Sequence, residues 1–81
     1  MNRTESNAAI LAALRAALAA KITASIGLDV IDNDEAPDGY TMTITVTVDG
    51  FGAHFGDDMA AAAEGLSRRV DEAIADRAKL G

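Results

Sequence analysis

The sequence lacks cysteine and tryptophan, and it has one histidine and one proline among its 81 residues. Without cysteine, the chain can form neither disulfides nor thiolate metal sites, and it has no thiol nucleophile. Three aromatic residues are too few to form a stacking platform for bases, and one histidine is too few for a His-based metal cage. We therefore expect a protein that is not an enzyme and that uses no cofactor or metal.

Basic residues are also scarce. Seven Lys and Arg residues stand against thirteen Asp and Glu residues, so the formal net charge is −6 at pH 7. Nucleic-acid binders gain affinity from bases that neutralise phosphates, so we expect no direct binding to nucleic acid. From Ile22 through Ser67 there are nine acids and neither Lys nor Arg. This stretch predicts a negative field that attracts a basic protein surface, unless its acidity only keeps an Ala-rich domain soluble.

Long apolar runs are absent too. Ala8–Leu14 is the longest uninterrupted apolar segment, and Arg15 ends it. A membrane-spanning helix needs roughly 20 apolar residues. The triplet Ala17-Leu18-Ala19 resembles a signal-peptidase site, but Arg15 interrupts the apolar segment that a signal peptide requires. We expect no membrane association and a cytoplasmic location, which is the bacterial host cytoplasm if a phage encodes the chain.

The first part of the chain predicts a helix that reaches about Ala24, because Ala and Leu are strong helix formers. Ser6 or Asn7 is the predicted N-cap. Apolar side chains recur every four residues on one face, which we expect to be buried: Ile10, Leu14, Leu18 and Ile22, with Leu11 beside them. The opposite face carries Ala9, Ala12, Ala13, Ala16 and Ala20, and it either packs against a second element or stays bare in solvent.

Three strands are predicted next: a first strand over Gly27–Ile31, a loop over Asp32–Gly39, and a second strand over Tyr40–Val48. The second strand alternates five β-forming side chains with four threonines, which indicates one buried face and one wet face. Asp49-Gly50 matches a type I′ hairpin turn. It leads into a short third strand in which Phe51 and Phe55 are expected to point inward.

Asp57 or Asp58 is the predicted cap of a second helix. The helix has an apolar stripe composed of Met59, Ala62, Ala63, Leu66, Val70, Ala73 and Ile74. We therefore expect one α+β domain over residues 1–81, with the order α-β-β-β-α and an antiparallel sheet that has two helices packed on one face. If the first or third strand is too short to pair, the order becomes α-β-β-α.

Carboxylates are the candidate partner-binding residues. They are Asp29, Asp32, Asp34, Glu35 and Asp38 in the first loop region, with Asp49, Asp57 and Asp58 expected at the other end of the sheet. Oxygen-rich loops can bind Ca²⁺, but an EF-hand counted from Asp32 would have Ala36 and Pro37 where it needs an oxygen ligand and glycine. His54 is the one side chain suited to proton transfer near neutral pH, but no nucleophile is placed beside it.

Two families resemble parts of the chain. The element order, together with Tyr40–Val48, Asp49-Gly50 and Ala60–Ala63 at the start of the last helix, resembles the double-stranded RNA-binding domain. That family grips phosphates with lysines where this chain has Asp57-Asp58, so the resemblance implies the fold without the RNA function. Tyr40–Ile74 is also similar to HicB-type antitoxins, in which a strand hairpin leads to a helix. This second resemblance implies an antitoxin-like interaction protein.

In size, acidity, alanine content and architecture, the whole chain resembles the small phage anti-CRISPR proteins. The resemblance implies a non-enzymatic inhibitor that docks on a basic surface of a CRISPR effector complex. As a DNA mimic, it would present carboxylates where phosphates lie and block target DNA. The alternative is a structural or assembly protein that acts through oligomer contacts. We expect either a monomer or a weak homodimer, with the first helix as the contact if a dimer forms.

Overall fold

The structure of the chain is a computed structural model that describes residues 2–80. Its five elements follow the order α1 (Arg3–Ala19), β1 (Ala24–Asp32), β2 (Tyr40–Val48), β3 (Phe51–His54) and α2 (Met59–Leu80). The strands form one antiparallel sheet in the order β1-β2-β3. The predicted α+β fold with the order α-β-β-β-α is confirmed. Residues 1 and 81, the ends of the expected domain, lie outside the described part.

The α1 helix begins earlier than predicted, with Asn2 rather than Ser6 or Asn7 as its N-cap. The Asn2 Oδ1 atom accepts a hydrogen bond from the Glu5 N–H at 2.8 Å, and Asn2 Nδ2 donates to Glu5 Oε1 at 3.0 Å. This exchange between the cap and the residue three positions later is similar to a capping box. Ser6 is buried instead, with 2% of its surface exposed.

The α1 helix also ends earlier than predicted, at Ala19 rather than about Ala24. Lys21 takes a left-handed conformation with φ of 61°. The Ile22 N–H bonds to the Ala17 carbonyl at 2.9 Å, and the Lys21 N–H bonds to the Leu18 carbonyl at 3.1 Å. These two bonds form a Schellman motif, which satisfies the last carbonyls and turns the chain out of the helix.

The buried residues of α1 are Ser6, Ala13 and Ala17, and Ile10 and Leu14 of the predicted stripe are half-buried against the core. Ala13 and Ala17 are buried, whereas Leu11 and Leu18 are 49% and 73% exposed, so the prediction that both leucines are buried was wrong. The physical reason is that α1 packs chiefly against α2 and touches β1 little, and small side chains allow the two helices to approach closely. The alanine face was expected either to pack against a second element or to stay bare in solvent, and Ala13 packs against a second element.

The β1 strand is longer than predicted at both ends, and all nine of its residues pair with β2, from Ala24 opposite Val48 to Asp32 opposite Tyr40. Opposite residues in an antiparallel pair lie on the same face of the sheet. The helix side of the sheet therefore carries the pairs Ile26 with Val46, Leu28 with Ile44, and Val30 with Met42. The threonines of β2 lie on the other side.

The helices cover only the half of this face that lies toward Val48. Within β2, Ile44, Val46 and Val48 are buried, whereas Tyr40 and Met42 are 46% and 52% exposed. Tyr40 and Met42 were expected to be buried, and the prediction failed because no helix reaches them. A fourth β2 residue, Thr43, is also buried although its side was expected to be wet, and its hydroxyl donates to the Gly56 carbonyl at 3.2 Å.

The third strand is as short as expected, but its first phenylalanine does not point into the core. Phe51 is 74% exposed and shares a groove with the polar α2 residues Arg69 and Glu72. It lies on the edge strand β3, where α2 presents charged side chains instead of its apolar stripe. Phe55 is half-buried and packs against Gly65, which confirms the inward direction for this residue.

The predicted turn and the second helix cap are both confirmed. Asp49 and Gly50 have φ values of 54° and 88°, as a type I′ turn requires. The Asp58 Oδ1 atom accepts a hydrogen bond from the Ala61 N–H at 3.0 Å. The stripe of α2 is buried at Ala62, Ala63, Leu66 and Val70, whereas Met59 is 40% exposed because it lies at the edge of the covered half.

Candidate partner-binding surface

The structure brings the eight predicted carboxylates to three separate places. Asp29, Asp32, Asp34, Glu35 and Asp38 lie on β1 and in the loop after it, Asp49 lies in the β2–β3 turn, and Asp57 and Asp58 precede α2. All eight are exposed. They do not form one cluster, so each group has to be considered by itself.

The loop between β1 and β2 is held by Asn33. The Asn33 N–H bonds to the Gly39 carbonyl at 3.0 Å, its Nδ2 donates to Thr41 Oγ1 at 2.8 Å, and its Oδ1 accepts from the Glu35 N–H at 3.1 Å. These bonds fix the backbone that carries the four acids Asp32, Asp34, Glu35 and Asp38, which we call the acidic loop. Among residues 2–80 the one ion pair lies elsewhere, so no base compensates these four charges.

That ion pair involves Asp49, at the end of the sheet opposite the acidic loop. The Arg77 Nη2 atom lies 3.5 Å from Asp49 Oδ1, and Arg77 Nη1 donates to the carbonyls of Ala20 and Lys21 at 3.1 and 2.8 Å. Arg77 therefore ties the end of α2 to the end of α1 and to the hairpin turn. Asp49 has a structural contact, and its charge is partly offset by the guanidinium.

Asp57 and Asp58 were expected at the end of the sheet opposite the acidic loop, together with Asp49. They do not lie there. The Ile44 N–H bonds to the Gly56 carbonyl at 2.7 Å, and this bond holds Asp57 and Asp58 beside the middle of β2. The segment between β3 and α2 crosses back along the sheet, which strand patterns alone do not indicate. Of the two acids, Asp58 caps α2, so Asp57 is the one without that structural task.

His54 and the acidic residues were also candidates for proton transfer and metal binding. In the described part of the chain, no three His, Asp or Glu side chains converge to hold a metal ion. His54 is exposed, and its Nδ1 atom lies 2.9 Å from Thr45 Oγ1 on the neighbouring strand. That contact is a cross-strand side-chain pair, the ordinary unit of sheet stabilisation.

Sequence reasoning missed an apolar surface beside the acidic loop. Leu28, Val30, Tyr40 and Met42 lie on the helix side of the sheet, and their exposed fractions are 71%, 57%, 46% and 52%. We call these four residues the apolar shelf. The alternation of β1 and β2 predicts the face on which they lie. The sequence carries no comparable signal for where the covering helices begin.

Comparisons with protein-family models, with curated proteins and with solved structures gave no match to this chain. No helix within residues 2–80 is long and apolar enough to cross a membrane. The surface described above is therefore the basis for any functional inference.

Proposed function

We propose that this protein is a non-enzymatic inhibitor that binds a basic, nucleic-acid-handling surface of another protein through its acidic loop. The observation that carries the proposal is the set of four exposed carboxylates on a loop fixed by Asn33, with no compensating base. A fixed loop loses little conformational entropy on binding, so more of its electrostatic attraction remains as affinity.

The charge pattern suits a surface that normally binds phosphates. Duplex DNA presents one negative charge per about 1.7 Å of its axis, and proteins meet it with clustered Lys and Arg. The acidic loop and Asp57 extend along one sheet for about 13 Å, because Ile44 lies four strand residues from Tyr40. Carboxylates at the two ends of this span offer a basic groove two separate points of contact. They also raise the association rate with that groove.

A CRISPR effector complex is the particular target that the resemblance to anti-CRISPR proteins implies. In this proposal the protein occupies the basic channel of the effector and prevents target DNA from entering. No chemical step is required for this kind of inhibition.

The test is competition with DNA on a panel of purified effector complexes loaded with guide RNA. We expect the protein to displace target DNA from at least one effector. Charge reversal at Asp32, Asp34 and Glu35 to lysine should lower the association rate roughly 10- to 100-fold and reduce its salt dependence. The matched control reverses three exposed acids of α2 to lysine, Asp71, Glu72 and Asp76, and should bind nearly as well as the original chain.

Two results would contradict the proposal. One is that no effector in the panel releases DNA. The other is that both triple variants lose binding equally, which would make net charge alone responsible. A parallel titration with duplex RNA checks the double-stranded RNA-binding alternative, and saturable binding of the RNA would replace the inhibitor proposal.

A further inference from the structure

The outer edge of β1 directs backbone hydrogen-bonding groups away from β2 along its length, and one of them, the Val30 N–H, bonds to the Asp29 carboxylate. Two backbone bonds at the ends of the β1–β2 hairpin fix which residues face β2. The Thr23 carbonyl accepts from the Asp49 N–H at 2.8 Å, and the Asn33 N–H donates to the Gly39 carbonyl at 3.0 Å. In an antiparallel strand each residue directs its N–H and C=O to the same side, and the side alternates. Odd-numbered residues therefore face β2, and even-numbered residues face outward: Ala24, Ile26, Leu28, Val30 and Asp32.

One bond supports this assignment directly. The Val30 N–H is satisfied by the carboxylate of its neighbour Asp29 at 2.9 Å, not by β2. Long edge strands in monomers are usually blunted by lysine, proline or a bulge. The β1 strand has neither lysine nor proline, and its register with β2 runs without a bulge. The edge can therefore accept another strand.

Exposed leucines border this edge on the helix side. Leu18 of α1 lines a groove with Ile22 and Ala24, next to the start of β1. Leu11 lies seven residues earlier, on the same side of α1. Leu28 of the apolar shelf lies beside Asn7 and Ile10, near the start of α1, and is 71% exposed. An added strand would thus contact apolar side chains as well as backbone groups.

The accessible surface of the chain is larger than that of a compact monomer of the same mass. The chain exposes 5569 Å², whereas a compact monomer of 8.3 kDa exposes about 4,600 Å². Its radius of gyration is 14.0 Å, against about 12 Å for a compact domain of this length. The excess of about 1,000 Å² is close to the roughly 800 Å² that each partner buries in an interface of standard size.

We propose that a second copy of the chain covers this edge, with β1 pairing antiparallel to β1 across a two-fold axis. The outward groups of β1 centre on Leu28, so Leu28 lies opposite the partner's Leu28. Val30, which no helix covers, then lies beside the partner's Ile26, which is helix-covered. The result is a six-stranded sheet with all four helices on one face, and each copy shields Leu28 and Val30, the β1 residues of the other copy's apolar shelf.

Charge complementarity supports a second copy as the occupant of this edge. Arg15 lies between Leu11 and Leu18 on α1, and Lys21 lines the groove next to Ala24. In the proposed register Ala24 lies opposite the partner's Asp32, so the acidic loop of each copy meets the two bases of the other. A basic target and a second copy would therefore compete for the acidic loop. The net charge of −6 per copy opposes association, so the dimer is of moderate affinity.

The test is a charge exchange followed by light scattering on the isolated chains, without any target protein. The original chain should have twice the 8.3 kDa chain mass. Arg15→Glu with Lys21→Glu should raise the dissociation constant at least about 10-fold, and so should Asp32→Lys with Asp34→Lys. An equal mixture of these two double variants should form the dimer again, because every contact then joins opposite charges.

A matched control reverses two bases of α2 that lie away from the edge, Arg68→Glu with Lys79→Glu, and should remain dimeric. Far-UV circular dichroism shows whether each variant is folded, and recovery in the mixture cannot come from unfolded chains. A mass that stays at 8.3 kDa at the highest attainable concentration would overturn the proposal. So would a mixture that fails to pair, or a control that dissociates to the same degree. Since no target is present, these outcomes are independent of the inhibitor proposal.

Discussion

The two halves of the β1–β2 hairpin have the same alternation of side chains but different surroundings. Toward Val48, the helix side of the sheet is covered, and Val46 is 0% exposed within a cluster that includes Ala17 and Leu66. Toward the acidic loop, the same side carries Leu28, which lies beside Asn7 and Met59 at the starts of the two helices and is 71% exposed. Strand alternation therefore indicates which face is apolar, and the helices decide how much of that face becomes core.

The boundary between the halves is set by where the two helices begin. Arg3 and Asn7 of α1, Met59 of α2 and Ile44 of β2 line one groove, so both helices start above the middle of the sheet. From there they run toward Val48 and beyond it. The outer half of the hairpin is uncovered for this reason, and its exposed apolar side chains are available to a second chain.

The largest expected difference between the halves is in the cost of removing a leucine. Leu66→Ala should lower the free energy of unfolding by about 3 kcal/mol, because Leu66 is 0% exposed and its removal leaves a cavity. Leu28→Ala should cost less than about 1 kcal/mol in dilute solution, where the chain is monomeric. Urea titration at low protein concentration measures both.

The two leucine variants test whether the two halves of the hairpin differ in how far they are covered. Equal losses would mean that the outer half is covered even in the monomer. A loss for Leu28→Ala that grows with protein concentration is the result expected from the dimer, because association stabilises the folded chain by mass action.

Much of the fold could be predicted from local signals. The alternation of Tyr40–Val48, the turn at Asp49-Gly50 and the cap at Asp58 each depend on a few neighbouring residues, and all three are confirmed. The end of α1 could not be predicted in this way. Ile22 and Ala24 continue the strand pattern and the helix pattern equally well, and the helix ends where Lys21 adopts a positive φ.

The candidate site was predicted in composition but not in arrangement. The acidic stretch is visible in the sequence, yet its division into three places depends on the path of the chain after β3. The predicted stripe of α1 is correct for Ile22, which is buried, and for Ile10 and Leu14, which pack against the core, but wrong for Leu11 and Leu18. Helix–helix contact distance favoured the smaller side chains Ala13 and Ala17.

A smaller effect tests how closely α2 packs in the covered half. An added Cβ at Gly65 would lie 2.7 Å from Phe55 Cε1, so Gly65→Ala forces the ring away from the helix. We expect a net loss of about 1 kcal/mol by urea titration, even though alanine by itself favours helix by about 1 kcal/mol.

The control for this prediction is the same substitution in a Phe55→Ala background. With the ring removed, Gly65→Ala should stabilise the chain by up to about 1 kcal/mol. The reversal of sign, measured as a double-mutant cycle, assigns the loss to the contact between Phe55 and Gly65. If Gly65→Ala stabilises the original chain as well, the ring has room to move and the packing in the covered half is looser than described.

The last expected effect on stability concerns the N-cap of α2, the helix that begins above the middle of the sheet. Asp58 fixes the first turn of α2 through its bond to the Ala61 N–H, so Asp58→Ala should cost about 1 kcal/mol in thermal or urea unfolding. Asp57→Ala removes the same charge one residue earlier without removing the cap, and its cost should be close to zero. Asp58→Asn keeps an acceptor at the cap and should retain most of the stability, because asparagine caps helices nearly as well as aspartate. Equal losses for Asp57→Ala and Asp58→Ala would show that negative charge near the helix dipole, not the hydrogen bond, sets the start of α2.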